Sequence, residues 1–250
     1  SRSGDETTFS AGLNKKFNET SHAYFNWGQV FRAPTTDDLF YPSMGNADLV
    51  PETGETWTIG YATQISDKTD VNVSYFESNL KDAIRYNPDN YWIGENIDEQ
   101  DKRGMELSVN HEINDNVDLV ASYTYTRVEN NKNGTGFTRD ANYMPNMYRL
   151  GIRYNDNKWN ADLFLRYANG GCTGINPNNG KVPYLDNNYL TVDMAITYTA
   201  TENLKIFAKG YNLLNESYAE YAGIYNSPYG YSYDYPAQAR RFLIGAEYSF

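Results

Sequence analysis

Cysteine, histidine and long apolar runs are what this sequence has least of, and each shortage closes off a class of function. The 250 residues contain one cysteine. Cys172 therefore has no internal disulfide partner, and its setting in Asn169-Gly170-Gly171-Cys172-Thr173-Gly174 predicts a loop bearing an unpaired thiol. There are two histidines, His22 and His111, no Cys and His spacing suited to zinc, and no Asp-rich loop with calcium-motif spacing. No metal ligand set and no cofactor are expected. No run of about 20 apolar residues is present, so no helix is expected to cross a bilayer, and the mean hydropathy of −0.72 is that of a soluble chain. That value does not exclude a membrane β-barrel, because about half of each barrel strand faces a polar interior. Cations are the minority charge, 21 Lys and Arg against 32 Asp and Glu for a net charge of −11, so nucleic acid, whose phosphates such a surface repels, is not an expected partner. Tyrosine is abundant instead, 24 residues against 11 Phe and 4 Trp, which suits membrane-interface girdles and recognition loops where one end of the ring is wet.

Alternation with a period of two recurs along the chain in segments of about 9 to 12 residues, the length that a tilted strand needs to cross a bilayer. The pattern predicts eleven strands, near residues 7–17, 22–31, 55–65, 70–84, 101–113, 117–128, 147–155, 158–168, 189–199, 204–214 and 240–250. In the sixth, Val117, Leu119, Ala121, Tyr123 and Tyr125 oppose Asp118, Ser122, Thr124 and Thr126. The connections alternate in length. Short ones such as Asn18-Glu19-Thr20-Ser21, Asn114-Asp115-Asn116 and Asp156-Asn157 are rich in turn formers, whereas residues 32–54, 85–100, 129–146, 169–188 and 215–239 make long loops. Short turns on one side and long loops on the other is the asymmetry of an outer-membrane barrel. No helix of useful length and no interior domain boundary are expected. Eleven antiparallel strands cannot close on themselves, since the first and last would run parallel, so residues 1–250 are expected to form part of a larger barrel. Without an initiator Met or a signal peptide, Ser1 is expected to mark a mature start or a cut.

The last strand places Phe242, Ile244, Ala246, Tyr248 and Phe250 on one face and ends on an aromatic. It resembles the closing strand of outer-membrane barrels, in which Phe242, Ile244, Tyr248 and Phe250 would be the signal that the barrel assembly machinery reads. Three further matches stand in order. Phe31, Arg32, Ala33 and Pro34, followed by Gly45, Asn46, Leu49, Pro51 and Glu52, look like the paired boxes of a large extracellular loop in TonB-dependent outer-membrane receptors. Lys102-Arg103-Gly104-Met105-Glu106-Leu107 is similar to that family's Arg-Gly-x-Glu strand start, and Asn212-Leu213-Leu214-Asn215-Glu216-Ser217-Tyr218 to its Asn-Leu-Phe-Asp-x-x-Tyr. The resemblance implies an all-β, antiparallel transmembrane barrel of 22 strands, of which this chain would be the carboxy-terminal half. It also implies an outer-membrane location, contact with outer-membrane lipid, coupling to the TonB complex through a plug domain, and uptake of a small-molecule metal chelate. A passive pore or adhesin is the alternative of another class, and a porin should show a self-closing strand set and a charged constriction.

Each box has a bland reading as well. Pro34 fixes its own φ and biases Ala33 toward extended backbone, which ends a strand. Gly104 allows close strand approach, and Asn212 and Asn215 cap a turn. The family's haem receptors usually carry a His between the two loop boxes, but residues 35–44 contain none. His22 and His111 fall at the short-turn ends of strands, so haem uptake ranks below siderophore and cobalamin uptake, and Tyr41 is expected to pack its loop. Barrel hydrolases need a His at the site, so no catalytic residue is assigned. A ligand is expected at two aromatic clusters: Arg85, Tyr86, Tyr91 and Trp92 in the second long loop, and Tyr218, Tyr221, Tyr225, Tyr229, Tyr231, Tyr233 and Tyr235 in the last. Rings with a hydroxyl give flat contact area at low entropic cost and suit an aromatic, hydrogen-bonding ferric siderophore.

Overall fold

The computed structural model describes residues 5–87, 90–132, 134–140, 143–171, 187–224 and 232–250. Its strands are β1 (Ser10–Lys16), β2 (Ser21–Arg32), β3 (Glu52–Ser66), β4 (Thr69–Asn87), β5 (Ile93–Asn114), β6 (Val117–Asn131), β7 (Phe137–Arg139), β8 (Asn146–Asn155), β9 (Trp159–Gly171), β10 (Asn187–Thr201), β11 (Leu204–Tyr211), β12 (Ala219–Ile224), β13 (Ser232–Pro236) and β14 (Arg241–Tyr248), with one helix, α1 (Thr36–Phe40), after β2. Eleven of them follow one another in a single antiparallel meander, β1-β2-β3-β4-β5-β6-β8-β9-β10-β11-β14, with β7 added beside β6. All eleven expected strands are present. β1 and β14 each have one neighbour, so the sheet is open, in agreement with part of a barrel.

The short turns form because their side chains supply the acceptors that the backbone lacks there. Asn18 Oδ1 accepts from Thr20 N at 2.9 Å and from Ser21 Oγ at 2.7 Å. Asp156 Oδ1 accepts from the amides of Lys158 and Trp159, both at 2.7 Å. Such Asx turns reverse the chain in two to four residues and fix the register that follows.

Register then sorts the two faces. One carries apolar rows that run from strand to strand, such as Leu13, Phe25, Ile59 and Tyr75, and Leu107, Tyr123, Tyr148, Tyr167 and Leu190. Aromatics border these rows at both ends. Trp57 meets Tyr75 (centroids 5.3 Å apart) and Tyr123 stacks on Tyr148 (4.7 Å) toward the long loops, while Trp159 meets Tyr198 (4.5 Å) and Tyr248 meets Phe250 (5.2 Å) at the short turns. The other face is polar, and four of its rings lie across a glycine directly opposite on the next strand: Tyr24 over Gly60, Phe76 over Gly104, Phe164 over Gly151 and Phe207 over Gly245.

The long-loop side differs from expectation in four places, the first being β7, which pairs with the end of β6 inside the expected loop 129–146. Residues 85–100 are not a long loop, because β4 and β5 continue past the apolar rows and stay paired as far as Asn87 opposite Ile93. The last loop contains a hairpin, β12 and β13, in which Tyr221 faces Tyr235 and Gly223 faces Tyr233. Helix α1 was not foreseen, although Thr35 and Asp38 make a capping box that holds its first turn.

Candidate ligand-binding site

The first long loop is drawn onto the extended ends of β4 and β5 by side chains that satisfy one another. Arg32, at the end of β2, makes a fork to Glu52 at the start of β3, with Nε to Oε2 at 2.6 Å and Nη2 to Oε1 at 3.0 Å, and its Nη1 reaches Asp38 Oδ2 at 3.1 Å. Asp38 also accepts from Thr35 N and Oγ1 at 2.9 Å and from the Tyr86 hydroxyl at 3.0 Å. Glu52 Oε1 takes the Ile84 amide at 2.6 Å and lies 3.7 Å from Arg85 Nη1. Arg85 in turn donates to the Ile84 carbonyl and to Gln100, and Gln100 donates to Asn130 at 2.8 Å.

The second box closes the same clasp. The Gly45 amide donates to the Tyr41 carbonyl, Asn46 donates to the Gly94 carbonyl at 2.9 Å, and Leu49 is buried to 2% exposure against Gly94. Phe31 continues β2, Ala33 and Pro34 lead into α1, and Pro51 precedes β3. Glu52 and Asp38 are 6% and 5% exposed. Burial pushes the Glu52 carboxyl up, but the Arg32 fork, the Ile84 amide and the charges of Arg32 and Arg85 together hold it below the usual carboxylate range. Burial likewise raises Asp38, and the donors Thr35 and Tyr86 with the Arg32 charge bring it below that range. Tyr86 is raised, by burial first and then by donating to Asp38. Every polar group of this clasp is engaged within it, so its chemistry is that of a structural tie.

The expected aromatic clusters are placed differently from one another. Arg85 and Tyr86 belong to the clasp. Tyr91 and Trp92 stand at the β4–β5 tip with left-handed φ of 51° and 62°, and Tyr91 is 83% exposed. Tyr225, Tyr229 and Tyr231 lie outside the described residues, while Tyr221, Tyr233 and Tyr235 are carried by the β12–β13 hairpin. Tyr218 stacks on Tyr189 with centroids 4.1 Å apart, and its hydroxyl accepts from Arg166 Nη2 at 2.9 Å. Asn212 and Asn215 take left-handed φ of 49° and 55°. Asn212 ties the start of the last loop to its end by donating to the Glu216 and Gln238 carbonyls.

Sequence reasoning singled out Tyr218 but missed what surrounds it. A cleft of about 380 Å³ is lined by Thr191, Asp193, Tyr211, Asn212, Tyr218, Gln238 and Arg241. Arg241 lies over the Tyr211 ring at 4.7 Å, and Arg166 over Tyr189 at 5.4 Å. These residues come from four strands and a loop, so only register brings them together. The available signal was the polar face of the alternating strands, which carries Arg149, Arg153, Arg166, Lys205, Lys209 and Arg241 on β8 to β14. Against these six stand Asp162, Asp193 and Glu247, and Arg149, Arg153, Lys205, Lys209 and Arg241 make no ion pair among the described residues. Among the described residues no cluster of three His, Cys, Asp or Glu is arranged to hold a metal, and His111, bonded to Thr69 at 2.9 Å, sits at the short-turn end.

A family model described as TonB dependent receptor-like, beta-barrel, matches residues 1–213. The vitamin B12 transporter BtuB of Photobacterium profundum is 26% identical over 206 residues, covering 77% of this chain and 31% of that protein. The iron-regulated outer membrane virulence protein of Vibrio cholerae is 27% identical over 247 residues, 90% of this chain and 34% of that protein. The chain thus spans about a third of the length of these curated relatives. Among solved structures, the copper transporter OprC superposes with a TM-score of 0.74 at 19% identity, covering 96% of this chain and 39% of that one. The ferric-catecholate import receptor Fiu of E. coli does so at 0.70 and 21%, covering 96% and 34%. The eleven-strand meander, its two-faced register and the match over residues 1–213 lead to one assignment: the chain belongs to the TonB-dependent receptor β-barrel family, outer-membrane receptors and transporters rather than enzymes.

Proposed function

We propose that residues 1–250 act as one barrel region of an outer-membrane receptor that takes up a ferric siderophore, with transport driven by TonB acting on a plug domain of the full-length protein. The observation that carries this reading is the basic lumen wall of β8 to β14 in a chain of net charge −11. Lumen cations attract anionic solutes and repel cationic ones, and iron chelates built on carboxylate or catecholate oxygens carry net negative charge at the metal core. The cleft beside Tyr218 adds flat rings with hydroxyls to that charge. The relative from Vibrio cholerae, named as iron-regulated, supports an iron cargo. In the same reading the apolar rows and aromatic bands contact outer-membrane lipid, and Phe242, Ile244, Tyr248 and Phe250 serve the barrel assembly machinery.

A second reading, cobalamin uptake, is favoured by the similarity to BtuB. Haem ranks below both, because α1 and Asp38 occupy the stretch between the loop boxes and no His is present there. The test is uptake by the full-length receptor in an outer-membrane-permeability-limited strain lacking its own siderophore and cobalamin receptors. Iron-loaded siderophores of the catecholate, hydroxamate and carboxylate types are expected to enter in a TonB-dependent way for at least one type. Entry of cobalamin alone would overturn the iron reading.

A further inference from the structure

The apolar face of β5 and β6 ends, toward the long loops, on two arginines set directly against each other. Along that face β5 carries Arg103, Met105, Leu107 and Val109, and β6 carries Arg127, Tyr125, Tyr123 and Ala121, each opposite its counterpart in that order. Directly opposed side chains in an antiparallel pair have Cβ atoms about 5 Å apart, and like charges in that relation destabilise the sheet. One carboxylate stands between the two: Glu129 Oε2 accepts from Arg103 Nη2 at 3.0 Å, and its Oε1 accepts from Arg127 Nη2 at 2.6 Å. The other charges around them are Glu77 opposite Arg103, Asp101 opposite Glu129, and Arg139 on the far side of Glu129. Glu77 and Asp101 make no ion pair among the described residues and take the Tyr75 hydroxyl and the Asn79 amide instead. Two guanidinium groups thus share one carboxylate within pairing distance. Their side chains are 46% and 44% exposed, and the bond that each makes to Glu129 uses a small part of a five-donor group.

Below the arginines the same face holds an apolar hollow. In the row Val109, Ala121, Leu150, Leu165 and Val192 the alanine is the shortest side chain, and a hollow of about 410 Å³ there is lined by Leu107, Ala121, Tyr123, Tyr148, Leu150 and Leu165. The stack of Tyr123 on Tyr148 borders it toward the long loops, and the Tyr123 hydroxyl donates to Asn146 at 2.8 Å. Four residues of strand, about 13 Å, separate Tyr123 from Arg127, and a tilt of about 40° makes this about 10 Å of height. Tyrosines with wet hydroxyls mark the boundary between hydrocarbon and headgroups. The hollow therefore lies on the hydrocarbon side of that boundary and the arginines on the headgroup side. What fits both at once is a molecule with an anionic oxygen group above and an alkyl chain below.

We infer that Arg103 and Arg127 bind a phosphate of the outer leaflet's lipopolysaccharide, with one of its acyl chains seated in the hollow beside Ala121. Guanidinium forks match phosphate oxygens, and basic clusters beside the hydrocarbon boundary recognise anionic lipid headgroups. The phosphate supplies the second anion for two arginines that otherwise share Glu129. The site rests on the proposed contact of this face with outer-membrane lipid and is independent of the cargo.

The test follows thermal unfolding of the full-length receptor, delipidated in detergent, as rough-type lipopolysaccharide is added, beside the same lipid stripped of its phosphates and beside inorganic phosphate. The wild type and the control K15Q/K68Q, whose lysines lie at the short-turn side, are expected to gain stability from the phosphorylated lipid and much less from the stripped one. R103Q/R127Q should need roughly tenfold more of the phosphorylated lipid for the same gain, in line with charged hydrogen bonds. A121L should weaken the response to both lipids, because it fills the hollow and leaves the arginines in place. E129Q separates lipid binding from mere cohesion of the cluster. It is expected to unfold earlier without lipid and to respond to less phosphorylated lipid than the wild type, since both arginines lose the carboxylate that competes for them. An unchanged response in R103Q/R127Q or in A121L overturns the site, as does an E129Q that needs more lipid than the wild type, or inorganic phosphate that stabilises as well as the lipid. A wild type stabilised equally by both lipids keeps the lipid contact and overturns the phosphate site, whereas one that responds to neither lipid overturns both.

Discussion

Glu52 is where the loop clasp converges, since its two carboxylate oxygens take three donors, from Arg32 twice and from the Ile84 amide, beside the charge of Arg85. Removing one partner of a buried pair leaves the rest unsatisfied, although Arg32 is 40% exposed on its side chain and water offsets part of that loss. Glu52→Gln should therefore destabilise the loop by about 1–3 kcal/mol, read as faster protease cleavage within residues 33–51 while the barrel strands stay protected. Arg32→Lys should cost a similar amount, because a single ammonium cannot reproduce the fork to Glu52 and the third bond to Asp38. The pH dependence has a definite sign. Asp38 and Glu52 are both held below the ordinary range of about 4. Their contribution is present above that range and is lost as pH falls through the still lower folded values. The same cleavage assay should show a closed loop from pH 7 to 5 and an opening loop only below about pH 4; opening near pH 6 would contradict the carboxylates as its cause.

At the scale of strands, period-two alternation and Asx turns made all eleven strands readable from sequence, because both signals are local. Strand length above the apolar rows was not readable. The pairs Arg85 with Glu95 and Tyr86 with Gly94 prolong β4 and β5 by cross-strand bonding, which no hydrophobic period marks. Helix α1 was readable in principle from Thr35 and Asp38, and the β12–β13 hairpin less so, its tyrosines having suggested a binding loop. The cleft beside Tyr218 was unreadable, because Thr191, Asp193, Tyr211 and Arg241 are brought together by register and not by spacing. Register also explains the four ring-over-glycine pairs and makes them separable by experiment. The three nearest atoms that a Cβ on Gly151 would meet all belong to the Phe164 ring, whereas one on Gly104 would meet the Tyr125 carbonyl as well as Phe76. Shortening the ring should thus rescue Gly151→Ala when combined with Phe164→Leu, and Phe76→Leu should not rescue Gly104→Ala. The measurement is the temperature at which each full-length variant loses its heat-modifiable migration in a detergent gel, with a coupling of about 1 kcal/mol or more expected for the first pair only.

The whole molecule is organised by which face meets which solvent, and this decides where its minority of cations can stand. Several cations at the extracellular end and on the lipid-facing side near it are held by carboxylates, as in Arg103 and Arg127, which both reach Glu129. Those on the polar face of β8 to β14, Arg166 apart, make no ion pair among the described residues, and charge on a wet face costs little and can act on a solute. The apolar face has no such freedom, since a charge there must enter hydrocarbon or drag water with it. Leu165 lies in the middle of an apolar row, between Leu150 and Val192, and Thr197 lies on the opposite face of β10 between Asn160 and Phe207. Leu165→Arg should destabilise the full-length barrel by about 2–4 kcal/mol, the penalty for an arginine near the bilayer midplane, and Thr197→Arg by less than about 1 kcal/mol. Folding titrations into lipid bilayers would read both values. Equal penalties would mean that the two faces do not differ in solvent, and the lumen assignment of the basic wall would fall with them.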